Sequence, residues 1–478
     1  MLIKNSGKRM NNKWYVFTIV AFGVFMSTLD GSIVNIALPA ILDDFNSTLA
    51  VVEWVVMIYL LTVTSLLLGF GKLSDIYGHR KIYISGLALF TISSLMCGIS
   101  QNIYWLIISR MFQGVASSMI MACTPALLVS AFPVFERGKI FGINGMVVSS
   151  GLTIGPAIGG FLIHQFSWRM IFFLNIPVGL AGIAGSLIVL SKHEKLLEET
   201  SFDFKGMLLA STGIGLMLIS LTHGYNWGFT SIKFISLSVI SCLMLTAFII
   251  NEKNTDKPLL DLHIFTNRVF SISALSGTML FLILFIIIFM MPFFLIKLKG
   301  FDPKTAGYMM MVPFAFLFFI APISGKLSDT LGSRVLCTSG MAIIFTGAVM
   351  LAFTDIHDSI FRICLDLAIV GIGTSIFISP NSAALMSSIP EDIRGTGGAI
   401  MATARNLGMV LGIALAGAVF NYFFNKITGG ATLNTYNEKM ASAFFIAFKK
   451  TMILTASIAL CTTIITWMRG KESARKPY

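Results

Sequence analysis

About fourteen stretches of this chain stay apolar for the length of a bilayer-spanning helix, and no other property limits its fold as severely. They lie near 14–36, 52–71, 82–100, 103–130, 140–163, 168–190, 205–222, 233–250, 269–294, 304–323, 335–353, 361–387, 396–422 and 451–468. Roughly 20 apolar residues in a helix cross the hydrocarbon layer, where every backbone polar group must be satisfied within its own segment. Of the 478 residues, 56% are hydrophobic and 12% charged, more apolar surface than the cores of about three soluble domains could absorb. The expectation is an all-α, polytopic membrane protein. The first run follows a basic tail (Lys4, Lys8, Arg9, Lys13). Its length, its lack of a small-residue cleavage site and Asp30 within it mark a spanning helix rather than a signal peptide.

The net charge of +12 does not imply nucleic acid, because the basic residues sit in short loops between apolar runs rather than on a soluble basic face. With both termini in the cytoplasm, about 22 Lys and Arg fall inside, about 10 outside, and Arg110 and Arg405 within the membrane, the asymmetry of a multi-pass cell-membrane protein. Lys297, Lys299 and Lys304 on an outer loop, and Lys449 and Lys450 ahead of the last run, go against that rule. Cys97, Cys123, Cys242, Cys337, Cys364 and Cys461 are scattered, with no CxxC pair and no His/Cys cluster, so neither a disulfide framework nor a metal site is expected. There is no nucleotide-binding loop, no HExxH and no nucleophile beside a base, so neither a cofactor nor an enzymatic reaction is expected.

An internal repeat gives the architecture. Gly71-Lys72-Leu73-Ser74-Asp75-Ile76-Tyr77-Gly78-His79-Arg80-Lys81 returns as Gly325-Lys326-Leu327-Ser328-Asp329-Thr330-Leu331-Gly332-Ser333-Arg334, at a constant offset of 254 residues. Two halves descended from one unit are expected. Six helices need only about 200 residues, so the surplus places two extra helices at about 205–250. The expected division is a tail at 1–13, a six-helix bundle at 14–190, a linker with two extra helices at 191–251, a second bundle at 252–468 and a tail at 469–478.

These residues resemble the major facilitator superfamily. The Gly71 to Lys81 segment looks like its motif A, with Gly325 to Arg334 as the partner copy. Leu29-Asp30-Gly31-Ser32-Ile33-Val34-Asn35-Ile36-Ala37-Leu38-Pro39 resembles the first-helix signature of the fourteen-helix drug/proton antiporter branch. Arg110-Met111-Phe112-Gln113-Gly114 resembles motif B, and Gly151 to Gly160, with Gly155, Pro156 and Gly159, resembles the antiporter motif C. Trp168-Arg169 and Asn175-Ile176-Pro177-Val178-Gly179 also look like that branch. The resemblance implies a major facilitator fold that alternates access to its two sides, and antiport.

Each motif carries a second, purely structural reading. Asp75 could accept hydrogen bonds at the amino-terminal end of a helix in the opposite half, while Arg80 pairs with Glu136 in a latch, with Asp329 and Arg334 as the second copy. Otherwise the segment is an ordinary basic loop. The glycines around Pro156 would let helices approach closely, whether for antiport or plain packing. Asp30 and Arg110 sit at matching depths of about 12 and 10 Å, with Gln113 and Asn35 close by, and form either a proton-coupling site or a buried structural pair. Asp366 has Arg362 four residues before it to neutralise it. Arg405 lacks an acidic neighbour and would meet an anionic or carbonyl-rich substrate or backbone carbonyls. Glu53 is expected at the interface, and His164 and His223 as polar caps.

The functional expectation is a monomeric secondary transporter of a small organic molecule. Proton-coupled export of lipophilic compounds comes first and uptake of a vitamin such as riboflavin second, with a membrane sensor as the remote third. Forty-one Phe and 27 Met suit a pliable apolar cavity. The lack of acidic residues in 269–294 and in the apolar interior of 304–323 argues against divalent cationic drugs.

Overall fold

Local signals set where the apolar runs start and stop as helices. In the computed structural model, which describes residues 3–133, 136–190, 203–227, 231–255, 262–388, 394–430, 433 and 438–470, every regular element among the described residues is helical. In chain order they are α1 (Ile3–Asp44), α2 (Leu49–Tyr77), α3 (His79–Gly98), α4 (Ile103–Ala131), α5 (Arg137–Gln165), α6 (Met170–Phe173), α7 (Asn175–Val189), α8 (Phe204–Trp227), α9 (Ile232–Asn254), α10 (Arg268–Phe293), α11 (Pro303–Ala315), α12 (Leu317–Leu331), α13 (Ser333–Ala352), α14 (Ile360–Ser387), α15 (Arg394–Thr428) and α16 (Ala441–Trp467). Asn102 caps α4 by accepting from the Trp105 amide at 2.8 Å, and Asp302 caps α11 by accepting from Thr305 at 2.7 Å, with Pro303 in the first turn. A capping side chain satisfies one of the amides that a helix start leaves unpaired.

Thirteen helical stretches among the described residues are long and apolar enough to cross a membrane, and α8 adds a shorter apolar stretch, Phe204–Met217. Two of the spans are interrupted. α6 stops at Phe173, four residues before Pro177, where the proline ring clashes with the carbonyl of the preceding turn. Pro313 and Pro322 flank the break between α11 and α12. Two sequence expectations need correcting. α16 begins at Ala441, so Lys449 and Lys450 lie inside the helix rather than ahead of it, with Lys449 5.1 Å from the Phe353 ring centroid. α1 runs on to Asp44, which puts Asp30 about 21 Å from the helix end instead of about 12 Å. Residues 191–202, Lys257 and the tail after Gly470, which bear on the expected orientation, lie outside the described residues.

The repeat reappears in the backbone. Gly78 and Gly332 end α2 and α12 with φ of 94° and 81°, values that only glycine adopts without strain. Their amides bond to the Ser74 and Ser328 carbonyls at 2.9 and 3.0 Å, and those serines donate to the Gly71 and Gly325 carbonyls at 2.7 and 2.6 Å. Helices α1–α7 pack mainly among themselves, with α1 on α5, α3 on α4 and α7, and α2 on α4; so do α10–α16, with α13 on α14 and α16, and α10 on α15. α8 and α9 pack on each other and reach the rest through α2 and α15.

The N-terminal and C-terminal sets of helices meet through α5 on α11, α2 on α15 and α1 on α10. Contacts between them concentrate at the end that carries Asp44, opposite Gly78. There a Cβ on Gly160 would lie 3.1 Å from the Gly307 Cα, so the two backbones touch directly. Thr153 donates to the Phe314 carbonyl at 3.4 Å, and Lys297 pairs with Asp43. Asp43 and Lys297 are 254 residues apart, the offset of the repeat, so this ion pair joins equivalent positions of the two copies.

Candidate functional site

Asp30, Arg110 and Gln113 come together, fully buried, where α1 and α4 cross. The Arg110 Nη1 pairs with Asp30 Oδ2 and donates to Gln113 Oε1 at 2.7 Å. Gln113 Nε2 donates to Asp30 Oδ1 at 3.0 Å and to Ser94 Oγ at 2.8 Å, and Asn175 Nδ2 donates to Asp30 Oδ1 at 2.9 Å. Arg110 Nε closes the cluster on the Val55 carbonyl at 2.9 Å. A buried ion pair persists in low dielectric only when further hydrogen bonds satisfy its remaining atoms, which this network does on the Asp30 side. The helical phase of α4 brings Arg110 and Gln113 onto one face at i and i+3.

The Arg110 guanidinium carbon lies 4.2 Å from the centroid of the Tyr59 ring, within cation–π range. The Tyr59 hydroxyl donates to the Ser27 carbonyl at 3.0 Å and contacts Ser117 Oγ at 2.9 Å. Tyr59 is the wall between the buried charges and a partly open cavity that both sets of helices line, with Ser27, Thr28 and Ser117 on one side and Phe285, Arg405, Asn406 and Met409 on the other. Arg405 has no ion-pair partner among the described residues, and its buried Nε and the Asn406 Nδ2 donate to no acceptor there. A guanidinium presents donors only, in a planar fork suited to carboxylates, phosphates and carbonyl-rich edges.

The other sequence candidates separate from this centre. Asn35 turns to its own helix, donating to the Gly31 and Ser32 carbonyls at 3.1 and 3.3 Å, and lines a second, small cavity with Ser32, Pro156 and Phe285. Asp366 is buried on α14, where Thr354 donates to it at 3.0 Å and Arg362 sits 3.4 Å away. On α5, a Cβ on Gly151, Gly155 or Gly159 would run into α1 at Leu29, Ile33 and Ile36, while Gly160 and Pro156 meet α11. The glycine segment therefore seats α5 on two helices at once.

The latch residues are paired differently from the sequence expectation. Glu136 takes Lys13, at 2.7 Å, and Arg80 donates to the Leu187 carbonyl at 3.2 Å. The packing of α1 on α5 brings the Lys13 ammonium to Glu136, while the last carbonyls of α7, left open by the end of the helix, attract Arg80. Asp75 faces His79, 3.7 Å away on the first turn of α3, rather than a helix of the other set. Burial raises the Asp75 carboxyl above the usual carboxylate range, against the opposing pull of His79 and Lys72. Arg334 donates to the Trp467 carbonyl at 2.7 Å; the Asp329 side chain lies outside the described residues. Glu53, expected at an interface with water, is buried at 2% exposure against Gly417. Sequence reasoning passed over Tyr59, Ser94 and Asn175 as site residues. Their signal was a polar group inside an apolar run, which must find a partner in the membrane.

Two repeated sets of apolar helices closing on a largely apolar cavity that carries a few polar side chains define a multi-pass membrane carrier of small molecules that works by alternating access, not an enzyme. The profile of the Major Facilitator Superfamily matches residues 20–413, and the chain belongs to that superfamily of secondary transporters. It is similar to the riboflavin transporter RibZ of Clostridioides difficile (strain 630), with 35% identity over 96% of this chain and 97% of that protein. It is also similar to the multidrug resistance protein Stp of Mycobacterium tuberculosis (strain CDC 1551 / Oshkosh), with 29% identity over 90% of this chain and 79% of that one. Among solved structures, a bacterial homologue of the human lysosomal transporter Spinster matches in fold with a TM-score of 0.69 at 14% identity, covering 96% of this chain and 97% of that one.

Proposed function

We propose that this transporter carries a planar organic molecule rich in carbonyl acceptors or bearing negative charge, with riboflavin the first candidate. The observation that carries the reading is Arg405, a guanidinium without a carboxylate partner among the described residues, in the wall of a cavity that Tyr59 also lines. The carbonyl edge of a flavin-like ring would accept from the guanidinium, with its apolar faces against the cavity's aromatic and aliphatic lining. The 35% identity to a riboflavin transporter over nearly the full chain supports the same cargo. In this reading Asp30, Gln113 and Asn175 hold Arg110, and Arg110 holds Tyr59, so the buried charges position the wall rather than touch the cargo. Asn35 and Asp366 then serve packing.

Proton-coupled export of lipophilic compounds is the second reading. It is favoured by the α5 glycine segment, which resembles an antiporter motif, and by the similarity to a multidrug resistance protein. For either cargo we propose a monomer in the cell membrane with fourteen helices, two six-helix bundles at 14–190 and 252–468 around an extra pair at 191–251, and both termini cytoplasmic. The motif A loops serve as conformational latches in the same reading.

The test is counterflow of labelled riboflavin in proteoliposomes, with wild type and Arg405→Ala compared, with and without a pH gradient. A charged hydrogen bond contributes about 1.5–3 kcal/mol, so Arg405→Ala should weaken riboflavin binding by about 10- to 150-fold. Full riboflavin exchange by Arg405→Ala, or transport of lipophilic dyes with no flavin exchange in wild type, removes the flavin reading.

A further inference from the structure

Glu53 is a carboxyl group without a partner among the described residues. It is 2% exposed, and none of its hydrogen bonds or ion pairs is satisfied within the described residues; its Oε2 is enclosed and unpaired. It sits in the first turns of α2, about 6 Å from the helix end near Asp44. Its carboxyl packs on α15, a helix of the opposite set, at Gly417, where a Cβ would collide with both Oε2 and the carboxyl carbon. The glycine lets the two helices close over the acid.

No ion pair among the described residues balances it. Asp30 on α1 is bound to Arg110, and Arg110 on α4 is committed to Asp30 and the Val55 carbonyl. Asp43 and Asp44 at the end of α1 are paired with Lys297 and Arg169. On α15, Arg405 lies twelve residues from Gly417, about 18 Å along the helix, and Lys426 lies beyond it at the Tyr422 ring. His79, Arg80 and Lys81 on α3 and Lys205 on α8 belong to the far ends of their helices.

We propose that Glu53 is a proton-binding site built into the gate at the Asp44 end, neutral while α2 and α15 are packed together and ionised when that end opens. An unpaired carboxylate held away from water is costly, whereas a carboxylic acid is not. Closure therefore takes up one proton from the solution on the Asp44 side, and opening returns it to the same solution as the group is hydrated. Acid on that side holds the gate shut, and alkali releases it. This rests on the alternating-access reading but not on the identity of the cargo.

The test measures the gate directly, without cargo. Spin labels at Phe166→Cys and Lys304→Cys, flanking α5 and α11, report the opening in a background without the exposed Cys242 and Cys461. In wild type the open-to-closed ratio should rise with pH, by up to about tenfold per unit for one proton. Glu53→Gln, which mimics the neutral acid, should stay closed from acid to alkaline buffer. Gly417→Ala, which prevents the helices from closing, should open the gate at every pH, and it serves if Glu53→Gln fails to fold. An equal pH response in Glu53→Gln and wild type, or a closed Gly417→Ala, overturns the assignment to Glu53. Labels that never move in wild type overturn it together with alternating access.

Discussion

Gly307→Ala should spring the Asp44 end open. A Cβ at this position would lie 3.2 Å from both the Gly160 Cα and the Pro156 carbonyl carbon, and inside contact distance of the Pro156 oxygen. Every one of these atoms is backbone, so no side chain can rotate away. Relief requires α11 to retreat from α5 by roughly 0.5–1 Å to reach ordinary carbon contact distance. Overpacking of this kind costs about 1–3 kcal/mol. The helix-propensity gain of alanine over glycine, about 1 kcal/mol, applies in both gate states and cancels from the balance. The closed state should therefore lose about 5- to 150-fold in population relative to the open one. Gly145→Ala on α5, where a Cβ would meet nothing within 4 Å, is the matched control. Distances between labels at Phe166→Cys and Lys304→Cys, with counterflow measured in parallel, check the shift. A Gly307→Ala distance distribution identical to that of Gly145→Ala would refute the claim that the direct contact of these backbones holds the end shut.

Asp30→Asn removes the acceptor that Arg110, Gln113 and Asn175 share; breaking a buried pair costs about 3–5 kcal/mol, so thermostability and cargo binding should fall together at every pH. A variant that binds normally but no longer responds to a pH gradient would return Asp30 to a proton-carrying role. Asp75→Asn should impair exchange by shifting the balance of conformations. Because burial raises the Asp75 carboxyl, its contribution to stability is present below the ordinary carboxylate range and lost as pH rises through the raised value. Thermal unfolding of Asp75→Asn should therefore lack that decline, and the same pH slope in variant and wild type would count against it.

The sequence alone determined that the chain is helical and membrane-spanning, because a run such as 269–294 has nowhere else to place its apolar residues. It also determined the repeat, since the Gly71 and Gly325 copies are written in local residues whose backbone requirement, a glycine at 78 and at 332, is local too. Asp30 and Arg110 stood out because charge in an apolar run is costly wherever the helix ends up. What the sequence left undecided was partnership. Glu136 met Lys13 instead of Arg80, Asn35 turned from Asp30 while Asn175 reached it, and Glu53 was sealed against Gly417. Each of these depends on the rotation and axial offset of one helix against another. Those are set by many weak packing contacts between segments far apart in the chain, and only the tertiary structure decides their sum.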